Sequence, residues 1–171
     1  MLYLFLSARA LHILCAALWL GGTILMSFFL LPTLGEVGPA AGKVMSGMER
    51  RGLTSFFPTI GGLTILSGFY LFYRAMSTNP EFMRSLGGKV FGVGAILGLA
   101  AMIIGASVVG RAAKKMSELG PKAATLPAGS PELKALQATM QALQHRAGVF
   151  GKVVAFLLIV TLILMSIGHY V

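Results

Sequence analysis

Arg9-Ala-Leu-His12-Ile-Leu-Cys15-Ala-Ala-Leu-Trp19-Leu-Gly-Gly22 places an arginine and a histidine inside a long apolar run. At 3.6 residues per turn, Arg9, His12, Cys15, Trp19, Gly22 and Met26 recur at steps of three and four and share one helical stripe. An ionisable group is costly in hydrocarbon, so one kept there points to a ligand, a partner or an interface. The run continues to Leu31 and predicts a transmembrane helix over 7–31, ended by Pro32 and Gly35. No basic residue precedes it and it far exceeds a signal h-region, so it reads as a retained helix.

Working outward, the 171 residues are 56% hydrophobic and 11% charged, too apolar for an ordinary soluble domain. Three more apolar runs, 54–73, 90–110 and 149–170, approach or exceed the roughly 20 residues that a bilayer requires. The fold they imply is all-α, an up-down four-helix transmembrane bundle in one membrane domain. Pro58 is expected in the first turn of its helix, where a missing N–H costs least. Gly61 and Gly68 lie seven apart, and Gly94, Gly98, Ala101 and Gly105 form a small-residue row. Both rows predict close helix packing, within the chain or in a homo-oligomer. No strand precedes the glycines, which argues against a phosphate loop.

Residues 34–53 read as a short polar connection with an interfacial helical turn, and 111–148 as a basic linker followed by an amphipathic helix. Ser130-Pro131-Glu132 supplies that helix with a cap, a proline in the first turn and an acid at the positive end of the dipole. The net charge of +9 lies mostly in loops beside apolar runs, which points to lipid headgroups rather than nucleic acid. The loops after the first and third helices hold ten Lys and Arg, among them Lys43, Arg51, Lys114 and Lys122. The other side holds Arg9, Arg74, Arg84 and Lys89. The positive-inside rule therefore puts the linker in the cytoplasm and both termini outside.

In this orientation Arg9, His12, Arg74, Lys89 and His169 all fall at outer helix ends. The middles of the second to fourth helices lack ionisable groups, which argues against a proton or ion path. Two chemistries fit. A b-type haem, the favoured one, would take His12 with His169 or Met165 as axial ligands, its propionates paired with Arg9, Arg74 or Lys89. Copper would use His12, His169 and Cys15. The plainer readings are that Arg9 snorkels, that Cys15 and Trp19 pack, that the scattered methionines fill space, and that His145 is solvated. His169 fits ligation and simple interfacial placement equally well. An imidazole at position 12, inside an apolar run, needs a partner.

Leu11-His12-Ile13, Leu18-Trp19-Leu20-Gly21-Gly22 and the ending Leu31-Pro32 resemble the first helix of copper resistance protein D (CopD)-like membrane domains, and more distantly that of HemJ-type protoporphyrinogen oxidases. Gly87-Gly88-Lys89 and the ending Met165-Ser-Ile-Gly-His169-Tyr170 are similar to the same group. The resemblance implies a bacterial inner-membrane bundle that handles haem or copper, with function carried first by His12, then by Trp19 and Lys89. It also implies a redox or copper-carrying partner on the outer side. Related sequences often end the last helix in Arg-Tyr, which sets His169 apart from their pattern; HemJ proteins carry a basic residue within that helix whereas Val153 to Gly168 has none, which weighs against the oxidase. Three functions remain: a haem- or copper-binding membrane protein, a HemJ-like oxidase, and a structural subunit packed through glycines.

Overall fold

The computed structural model describes residues 2–37 and 40–171. They form an all-α four-helix bundle of a multi-pass membrane protein. Among the described residues four helices are long and apolar enough to cross a bilayer: the first span Leu2–Glu36, the second Leu53–Thr78, the third Leu86–Thr125 and the fourth Pro131–Ile167. A short helix, Ala40–Arg50, joins the first two spans. The first span packs on the second and the third on the fourth. The two pairs meet chiefly where the first span touches the fourth; the second and third barely touch.

The side chains are distributed as a lipid solvent dictates. Leu14, Leu66, Ile96 and Phe156 face outward, while Thr23, Ser27, Thr64 and Ser67 are buried. Between helices in lipid there is little hydrophobic driving force, so small and hydroxyl-bearing residues that let backbones approach take the interior. Thr23 and Thr64 donate back to the carbonyls of Trp19 and Ile60, four residues earlier, so neither hydroxyl is left bare in hydrocarbon. The core is correspondingly small: Cys15, Trp19, Ile60, Ala101, Val154 and Leu158.

Both glycine rows are used inside the chain. Gly94 faces Met165 and Leu164, and Gly98 faces Thr161, so these glycines and Ala101 seat the fourth span against the third. Gly61 and Gly68 receive side chains of the first span. Gly105 stands apart, with open space at its Cβ position, at the start of the π-helical turn Gly105–Gly110.

Several expected boundaries move. The first helix does not stop at Pro32: a π-helical turn over Leu25–Leu30 precedes it, with the Leu31 N–H reaching the Met26 carbonyl, and the helix continues to Glu36. The donor that proline lacks falls where the ladder is already changing register, which removes the usual reason to stop. Pro58 lies at the sixth residue of the second span, inside the helix rather than in its first turn. Residues 111–125, expected as linker, continue the third span, because Arg, Ala, Lys, Met, Glu and Leu favour helix strongly enough to carry it through Gly120 and Pro121. The fourth span starts at Pro131, as the capping signals indicate, but ends at Ile167, so His169 lies beyond it.

The third and fourth spans thus extend beyond the bilayer as a helical hairpin roughly 20–30 Å long. Its turn passes through Gly129 at φ +80, a left-handed position suited to glycine. The Ser130 hydroxyl accepts from the Leu133 N–H at 3.2 Å, capping the returning arm. Ser130→Ala is expected to cost about 1 kcal/mol locally. Faster amide exchange confined to 132–134, with the rest of the fourth span unchanged, is the measurement that checks it.

Candidate functional site

The site is built on a match between two spacings of seven. His12 and Trp19 project from the first span, and Gly68 and Gly61 lie opposite them on the antiparallel second span. A Cβ added at Gly61 would meet the Trp19 indole at 3.5 Å, and one at Gly68 would meet His12 Cε1 at 2.9 Å. Each ring therefore rests on a bare patch of helix backbone. Trp19 is buried in the core and packs; His12 is half-buried and does more than pack.

His12 Nδ1 lies 2.8 Å from the Thr64 carbonyl oxygen and 3.3 Å from Ser67 Oγ. A carbonyl oxygen only accepts, so Nδ1 carries the proton and donates it. In the neutral ring Nε2 is then the unprotonated nitrogen, and it has no hydrogen-bond partner among the described residues. This division of labour, Nδ1–H to a backbone carbonyl and a free Nε2 lone pair, is the one metal-binding histidines adopt. The residue thus fits the role of ligand to iron or copper.

Gly68 makes the approach possible, and Gly68→Ala tests it. The added methyl would displace the imidazole, a movable side-chain end, so the chain is expected to fold while His12 loses its Thr64 bond. Gly62→Ala, where a Cβ meets open space, is expected to leave His12 undisturbed. The histidine ring resonances of the two variants provide the comparison.

The other sequence candidates are distributed around the bundle. Cys15 lies one turn from His12 but is 5% exposed within the core cluster. Met165 is half-buried, with its Cε against Gly94, between the third and fourth spans. His169 is exposed, and its ring meets Phe91 edge-on at 5.8 Å between centroids. Met165 and His169 thus belong to one helix pair and His12 to the other. Arg9 and Lys89 are exposed and Arg74 half-buried, and among the described residues none is in an ion pair; the one salt bridge there is Arg84 with Glu81. No group of three or more His, Cys, Asp or Glu that could hold a metal occurs among the described residues.

Thr64 and Ser67 are the members that sequence reasoning missed. A backbone carbonyl carries no residue-type signal, and a serine in an apolar helix reads as satisfied by its own turn. The signal present is the paired spacing itself, 12 with 19 and 61 with 68. No protein-family model, curated protein or solved structure matches the chain, so its assignment rests on its own residues.

Proposed function

We propose that this multi-pass membrane protein binds a b-type haem or copper through His12 Nε2 near the outer face of a bacterial inner membrane, and handles electrons or copper there. The observation that carries the reading is the 2.8 Å bond from Nδ1 to the Thr64 carbonyl, which reserves Nε2. Bound haem or copper would supply one-electron chemistry. The chain's own part is to hold the imidazole in one tautomer, to keep water from Nδ1 by burying Thr64 and Ser67, and to surround the site with lipid-facing helices. Arg9, Arg74 and Lys89, outside any ion pair among the described residues, are the cations available to propionates at that end. Met165 and His169 are the candidate second ligands across the helix-pair boundary. The likeness to CopD-like domains at His12 and Trp19 agrees with this reading.

The test is the optical spectrum and metal content of the purified protein. A Soret band with sharp reduced α and β bands, or copper near one per chain, supports the reading. A colourless, metal-free protein that takes up neither haemin nor copper would sink it. Turnover of protoporphyrinogen would move the assignment to the oxidase class.

A further inference from the structure

We infer that Ser67 is a positioning residue for His12, an inference that rests on reading His12 as a ligand. One hydrogen bond to the Thr64 carbonyl settles which nitrogen holds the proton, but it leaves the ring able to pivot about that bond. A second acceptor on the same N–H opposes the pivot. Ser67 Oγ is placed for this, 3.3 Å from Nδ1.

The Ser67 hydroxyl meets His12 as an acceptor because its own proton is already committed. It donates to the Leu63 carbonyl at 2.5 Å and is 3.1 Å from the Thr64 carbonyl. Ser67 is 7% exposed, so little water competes for the imidazole proton. The Nδ1–H is therefore shared between two fixed acceptors on adjacent turns of the second span, and Gly68 supplies the gap that admits the ring. Back-bonding to Leu63 alone would account for a serine in an apolar helix; it would not account for a serine oxygen beside the imidazole proton. Outer-shell partners of this kind typically carry about 10–100-fold in metal affinity, and Ser67, the longer of the two contacts, belongs at the lower end.

The experiment uses full-length protein in micelles with nitrogen-15 histidine, read first without added ligand and then titrated with haemin and with copper. The wild type is expected to show His12 protonated at Nδ1. Ser67→Ala is expected to move the Nδ1 resonance as the ring gains freedom to pivot, with the tautomer kept by the Thr64 carbonyl, and to weaken ligand binding about tenfold. Ser67→Thr, which keeps the hydroxyl, is expected to restore both. Thr23→Val removes an equally buried hydroxyl that bonds the Trp19 carbonyl, touches neither acceptor of the imidazole proton, and is expected to leave His12 as in the wild type. Wild-type His12 resonances in Ser67→Ala would overturn the inference, as would an equal disturbance in Thr23→Val. Should Ser67→Ala move the resonance while the wild type binds neither haemin nor copper, the positioning role stands and the ligand reading falls.

Discussion

His12→Ala is expected to remove the bound haem or copper while the bundle still folds. The two effects separate because His12 contributes little to packing. Its hydrogen bond joins two helices that already share the Trp19–Gly61 contact and an apolar core, and such interhelical bonds in membranes average only about 0.6 kcal/mol. The Thr64 carbonyl left behind remains within the helical ladder of the second span. Loss of a direct ligand, by contrast, should exceed the roughly 10–100-fold that an outer-shell partner carries. His145→Ala is the matched control, since His145 is exposed on the hairpin. Spectra and metal content, with circular dichroism showing retained helix in both variants, check the expectation. Equal loss in the two variants would point to a general instability.

Gly88→Ala is expected to have the largest effect on stability. An added Cβ would overlap the carbonyl of Phe82, a backbone group that cannot swing away. The surroundings are fixed as well: Ser85 caps the third span by accepting from the Gly88 N–H at 3.0 Å, and its own hydroxyl donates to the Phe82 carbonyl at 2.6 Å. On the other flank, a Cβ at Gly87 would lie 2.5 Å from the Gly168 carbonyl, so the paired glycines also seat the end of the fourth span. Forcing a methyl into such a junction costs about 3 kcal/mol. Gly92→Ala, where the Cβ meets only Met83 Cε at 3.7 Å, is expected to be neutral or to stabilise by up to about 1 kcal/mol through helix propensity. Thermal unfolding in one detergent, with all proteins compared together, is the measurement. A Gly88→Ala protein as stable as the Gly92→Ala protein would show that the junction is looser than its geometry.

The same junction shows what can be read in the chain and what cannot. Gly87-Gly88 is visible as a motif, but its purpose depends on a loop and a chain end that fold back onto it. The spans are legible because an uninterrupted apolar stretch of bilayer length has little use outside a membrane. Their ends are not. Pro32 reads as a stop through its missing donor, and the π-helical turn before it absorbs that loss; Pro121 reads as linker by composition, and its helix-favouring neighbours together with the fourth span beside it keep it in a helix. His12 stands out because an imidazole in an apolar run is rare. Its partners do not, since one is a carbonyl and the other a serine of ordinary appearance. The outer cluster expected from Arg9, Arg74, Lys89 and His169 follows from placing helix ends on one side, which fixes depth but not direction. His12 turns toward the second span, while His169 meets Phe91 of the third.

The central claim, that His12 Nε2 is the ligand, is tested most directly by replacing the side chain and returning its chemistry from solution. His12→Gly protein would be titrated with haemin or copper, with and without free imidazole. The variant alone is expected to bind neither, and imidazole to restore the wild-type spectrum. A His12→Gly protein that keeps the wild-type spectrum with no imidazole added would contradict the claim.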